Sequence, residues 1–108
     1  MKFNIIATPN FKKELKRLAK KYPSLKFEFT ELIGNLEQNP KQGIEIGNHC
    51  YKIRIAIASK GKGKSGGGRV ITFVQIVESN VFLISIYDKS EQEKITAKEL
   101  LELVREIK

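Results

Sequence analysis

The apolar residues of this 108-residue chain change period near its middle, and that change limits the folds open to it. Up to Leu36 they recur at helical spacing. Phe11, Leu15, Leu18 and Tyr22 stand at i, i+4, i+7 and i+11, and Leu25, Phe29, Leu32, Ile33 and Leu36 repeat the pattern. From Tyr51 the spacing is two. Tyr51, Ile53, Ile55 and Ile57 alternate with Lys52, Arg54 and Ala56, which gives a strand with one core face and one cationic face. The chain therefore reads as α+β, with a helical hairpin and a C-terminal helix packed on a mainly antiparallel sheet.

The boundaries carry their own chemistry. Phe3 to Ile6 suits a short strand. Thr8 then serves as an N-cap with Pro9 at the first helical position, and Pro23 ends the helix. Asn39-Pro40 stops the second helix, and the two are close enough in sequence to pair as an antiparallel hairpin. Lys41 to His49, with Gly43 and Gly47, reads as a loop. Arg69–Val77 and Val81–Tyr87 are apolar on both faces, so they are expected at the centre of the sheet, joined by a turn at Ser79-Asn80. Thr96 and Glu99 form a capping box, Ile95 and Leu100 take the staple positions, and the last helix follows. The order is β-α-α-β-β-β-α over one domain, 1–108, with no repeat and no linker.

Twenty Lys and Arg against twelve Asp and Glu leave a net charge of +8, which points to an anionic partner. A single cysteine, Cys50, excludes a disulfide within the chain. The N-terminus has no signal-peptide pattern and no stretch is long enough to span a membrane, so a cytoplasmic protein is expected. No Cys/His cluster is available for a metal and no Ser-His-Asp set is visible. The lone His49 lies in a loop, where a structural role is the commoner one.

The most biased stretch is Ser59 to Arg69, with three lysines, one arginine, five glycines and no acid. Two phosphate motifs fail in it. A Walker A loop needs glycine where Ala58 stands, and Gly61-x-Gly63-x-x-Gly66 is followed by a strand instead of a helix. No nucleotide cofactor is expected. A cationic loop of small residues can still close over a phosphate backbone, and Lys60, Lys62, Lys64, Gly66 and Gly67 are the candidate RNA contacts in it. Lys52 and Arg54 project from one strand face about 7 Å apart. Arg69 starts the partner strand, and Lys89 follows the last one. Either these cations converge on one patch or they form a solvated edge.

The runs Tyr51-Lys52-Ile53-Arg54, Gly61 to Ile71, and Ile84 to Lys89 resemble the RelE/ParE toxin superfamily, with the HigB branch of type II toxin–antitoxin systems the nearest in pattern. The resemblance implies a metal-independent mRNA endoribonuclease that acts in the ribosomal A site, with an acidic antitoxin as protein partner. In such enzymes the ribose 2′-OH attacks the adjacent phosphate and a 5′-OH leaves. The family's basic patch maps onto Lys52, Arg54, Arg69 and Lys89. Arg69 would stabilise charge in the transition state, Lys52 or Arg54 would orient the phosphate, Lys52 would move a proton and Lys89 would neutralise the leaving oxygen. RelE toxins carry a tyrosine near the position of Ile95. Tyr87 either substitutes for it or is a core residue. The competing expectations are a ParE-like inhibitor of DNA gyrase and a binding module without activity.

Overall fold

Helix α1 (Pro9–Lys21) begins where the Thr8 side chain accepts the Phe11 N–H at 3.3 Å, and Pro9 fills a first-turn position that needs no donor. Lys20 and Lys21 in its last turn complement the C-terminal end of the dipole. The computed structural model describes residues 2–61 and 66–107. In it α1 follows strand β1 (Asn4–Ala7) and precedes α2 (Leu25–Gln38). The sheet continues with β2 (Ile44–Gly47), β3 (Cys50–Ile55), β4 (Gly68–Gln75) and β5 (Asn80–Asp88), and α3 (Ala97–Arg105) closes the order. The Thr96–Glu99 capping box forms at α3 with both of its reciprocal bonds. No helix among the described residues is long and apolar enough to cross a membrane.

The strand order is β1-β5-β4-β3-β2. Only the β1–β5 pairing is parallel. The doubly apolar strands β4 and β5 lie inside the sheet, as their composition demands. One face packs on α1 and α2 through Ile53, Ile55, Val70, Val74 and Leu83 against Phe11, Leu18, Leu25 and Leu36. The other packs on α3 through Cys50, Ile71, Phe73, Ile84 and Tyr87 against Leu100 and Val104. A bulge on β5 at Ile84 resets the register between Ile71↔Ser85 and Thr72↔Leu83. The strand then keeps apolar residues on both faces beyond the break.

Strand β2 corrects the expected loop at Lys41–His49. Asn48 and His49 both take positive φ, 55° and 62°, which is the backbone of a two-residue turn that feeds two antiparallel strands. β2 then pairs with β3 through Ile44↔Lys52 and Glu45↔Tyr51 and covers an edge that would otherwise be bare. Gly43 enters this strand at φ +90°, where a Cβ would stand 2.3 Å from the Lys52 carbonyl oxygen. At the other end of β4 the expected strand is too long. Ile76 and Val77 lie exposed in the turn, Val77 at 92%.

Helix α1 also completes the sheet. β1 pairs with β5 only as far as Leu83. Beyond that point Asn10 Nδ2 donates to the Ile84 carbonyl at 2.9 Å, and Glu14 Oε1 accepts the Ile86 N–H at 3.2 Å and the Ser85 hydroxyl at 2.9 Å. Side chains of a helix thus meet the backbone groups that a longer β1 would have met.

Candidate functional site

The ladder of β3, β4 and β5 brings Arg54, Arg69 and Tyr87 into one row. Arg54 stands directly opposite Arg69, and Arg69 directly opposite Tyr87. Neighbouring strands lie about 4.8 Å apart, so the three Cα atoms span about 10 Å. Directly paired residues share a face, and this is the face that α3 covers further along. Lys52, opposite Ile71, is on the same face two residues from Arg54. Like charges placed directly opposite each other weaken a sheet by up to about 1 kcal/mol relative to neutral pairs. The Arg54–Arg69 pair thus concentrates two positive charges at one register position of the sheet.

The members of the row differ in burial. Arg69 is 5% exposed, and its Nη1 donates to the Gly68 carbonyl at 3.0 Å. Tyr87 is buried in the α3 face, and among the described residues its hydroxyl makes no hydrogen bond of good geometry. Burial pushes the phenol's pKa up, against the opposing charge of Arg69. Tyr87 is thus a core residue by its ring, and its hydroxyl is buried with it. Arg54 is exposed, and Lys52 and Lys89 are half-buried. Lys89 follows β5 directly, and its N–H donates to the Gly67 carbonyl at 3.0 Å, one ladder step beyond the row.

The glycine-lysine loop divides into parts. Lys62 and Lys64 lie outside the described residues. Gly67 is buried where a Cβ would come within 2.2 Å of the Ile55 carbonyl oxygen, so only glycine lets β3 and β4 approach this closely. Lys60 does not project into solvent: its ammonium pairs with Asp88 and donates to the Gly66 carbonyl at 2.7 Å. Asp88 is fully buried and also accepts from the Tyr22 hydroxyl at 2.5 Å and from the Ser90 N–H at 2.9 Å. Burial opposes its ionisation, but the donors Lys60, Tyr22 and Ser90 together outweigh burial and hold the carboxyl well below the usual carboxylate range. Sequence patterns missed Asp88 and Tyr22, because a single acid after a strand and a tyrosine on a core stripe carry no motif.

Outside this network, Arg17 and Lys21 reach Glu91 at 2.9 and 3.1 Å, which ties α1 to the segment after β5. His49 sits in the β2–β3 turn with its ring edge-on to Phe73 at 6.4 Å. Among the described residues no group of three His, Cys, Asp or Glu side chains is placed to hold a metal ion. Arg54 and Lys52 carry the row's charge to the surface, and Arg69 and Tyr87 lie buried beside them in the same face, an arrangement suited to a phosphate chain.

Comparison with known proteins bears on the family and the fold. A family model described as the RelE toxin of the RelE / RelB toxin-antitoxin system matches residues 10–107. The fold is similar to that of an arginine-substituted mutant of the E. coli toxin RelE in the free state, with a TM-score of 0.66, 18% identity and full coverage of both chains. The same E. coli toxin in complex with an antitoxin RelBc peptide matches with a TM-score of 0.61 and 19% identity, over 96% of this chain and 95% of that one. A chain of the RelBE2 toxin–antitoxin complex of Mycobacterium tuberculosis matches with a TM-score of 0.56 and 14% identity, over 82% of this chain and 92% of that one.

Proposed function

This chain belongs to the RelE toxin family, and from that premise we propose that it blocks translation by cutting mRNA in the ribosomal A site until an acidic antitoxin binds it. The observation that carries the reading is the cross-strand row Arg54–Arg69–Tyr87 with Lys52 beside it. The glycine-lysine run from Gly61 to Ile71 supports a HigB-type member, and action on ribosome-bound mRNA requires the cytoplasm.

The reaction needs one proton removed, one charge stabilised and one leaving group protonated. Lys52 takes the proton of the ribose 2′-OH. The O2′–P bond forms as the P–O5′ bond breaks, which leaves a cyclic phosphate and a 5′-OH. Arg69 stabilises the extra negative charge of the pentacovalent transition state, and Arg54 orients the phosphate from the opposite strand. Lys89 neutralises the leaving oxygen by giving it a proton, and Tyr87 backs Arg69 from the adjacent strand. Loss of one such donor typically lowers the rate by about 100- to 1000-fold. The net charge of +8 draws the chain to RNA and an acidic antitoxin to the chain.

Addition of the protein to ribosomes programmed with mRNA is expected to give fragments with 5′-OH ends. Arg69→Ala is expected to abolish cleavage while the fold is retained. Uncut mRNA together with blocked gyrase supercoiling would instead establish the ParE-like activity.

A further inference from the structure

Lys60 stands at the start of the glycine-lysine loop, and its three N–H groups meet three acceptors. These are Asp88, the Gly66 carbonyl at 2.7 Å and Ser90 Oγ at 2.9 Å. The side chain is 9% exposed. Asp88 is itself fixed from α1 by Tyr22 and from the following turn by the N–H and hydroxyl of Ser90, at 2.9 and 2.8 Å. The Lys60 ammonium thus joins the first residue of the loop to the backbone at its far end, on an anchor shared by α1 and β5. Just past that closure the chain runs through Gly67 and Gly68 into Arg69. There Gly67 meets the Lys89 N–H at 3.0 Å, and Gly68 stands opposite Asp88 in the ladder.

A second consequence concerns charge. Asp88 follows Tyr87 and precedes Lys89, so an uncovered carboxylate there would repel a phosphate lying along the row. Lys60 lies against it in the protein interior, and Lys21 Nζ is 4.0 Å from its other oxygen.

We propose that Lys60 acts as a positioning residue and not as an RNA contact: seated on Asp88, it holds the Gly66 carbonyl and so sets the Gly66–Arg69 segment that delivers Arg69 opposite Arg54. The inference rests on the RNA reading given above. It also distinguishes Lys60 from the other loop lysines expected to bind RNA.

The test compares Lys60→Met, the double variant Lys60→Met/Asp88→Asn and Arg69→Ala with the wild type. The double variant leaves no lone buried carboxylate and keeps the test open if the single one does not fold. Two properties are measured: amide hydrogen exchange at Lys89, and the salt dependence of binding to a short single-stranded RNA. Removal of a phosphate contact lowers the slope of log K against log salt by about 0.7. That drop is expected for Arg69→Ala. For the Lys60 variants the expected result is an unchanged slope, RNA affinity lower by about tenfold, and Lys89 exchange faster by about tenfold or more. A slope lower by about 0.7 would make Lys60 a phosphate contact and overturn the proposal, whatever the exchange. Exchange equal to wild type would overturn it too. If the wild type binds no RNA, the RNA reading fails separately, and the exchange comparison still decides whether Lys60 holds the loop.

Discussion

Tyr22→Phe removes one oxygen and keeps the ring, so it isolates the hydrogen bond to Asp88 from the packing around it. The residue is 8% exposed, its hydroxyl donates at 2.5 Å, and the acceptor is a fully buried carboxylate. A hydrogen bond to a charged group contributes about 1.5–3 kcal/mol, and the phenyl ring still fills its site, so the expected loss is about 2 kcal/mol at pH 7. With an unfolding entropy near 2.1 cal/mol/K per residue, that lowers Tm by about 9 °C for a chain of this size. The pH dependence has a definite sign. The Asp88 carboxyl is held well below its ordinary value of 3.8, so its contribution is complete above that value and is lost as the pH falls through the folded-state pKa. In the variant Asp88 protonates at a higher pH than in the wild type. The stability gap between the two is therefore constant from neutral pH through the ordinary carboxylate range and narrows only below it, where Asp88 of the variant protonates first. Urea unfolding followed by circular dichroism measures the gap across this range. A loss under about 0.5 kcal/mol at neutral pH, or a gap of constant width down to about pH 2.5, would refute the assignment of Tyr22 as a donor to an ionised Asp88.

Three further outcomes follow from single contacts. Glu14 has its pKa raised by burial, against the hydrogen bonds from Ser85, Ile86 and Asn10, so its charge costs stability above its unfolded pKa. Glu14→Gln keeps the acceptor and is expected to be neutral or mildly stabilising at pH 7, whereas Glu14→Ala strands the Ile86 N–H and costs about 1–3 kcal/mol in urea melts. Gly67→Ala is expected to unfold the chain or lower its Tm sharply, because the new methyl would overlap the Ile55 carbonyl; Gly34→Ala meets open space in α2 and should raise stability by about 0.5–1 kcal/mol. Arg54→Thr relieves the like-charge pair with Arg69, so thermal melts should show stability equal to or above wild type by up to about 1 kcal/mol while the cleavage assay shows a large loss. A variant both less stable and equally active would contradict the proposed site.

The elements with a long, clean period were legible in the sequence. Phe11, Leu18 and Leu36 occupy the core as their helical spacing demands, and the Thr96–Glu99 box forms as its letters imply. Strand β2 was not legible for a physical reason. It is four residues long, three of them exposed, and its partner edge lies after a turn built on Asn48 and His49 in place of glycine. Only the bare edge of β3 makes it a strand, and that edge exists in three dimensions. At the candidate site, the alternation of Lys52 and Arg54 with isoleucines announced a cationic face, and the register sets Arg69 directly across from Arg54. Lys60 could not be distinguished from its neighbours by composition. Its setting depends on Asp88, 28 residues away, and on a helix from the first quarter of the chain.

The way α1 stands in for a strand has a consequence for how this protein fails. β5 is apolar on both faces, and past Leu83 the side chains of Asn10 and Glu14 meet its outer backbone where no strand does among the described residues. A helix supplies those groups from a surface that can roll away, whereas a paired strand would have to unzip. Lifting the first turns of α1 bares a sticky sheet edge while the rest of the sheet stays intact, and that edge is a template for a strand from a second molecule. Self-association should therefore begin at a smaller fluctuation than global unfolding. The two small polar side chains on α1 are then as much guards against fibre growth as they are parts of the fold.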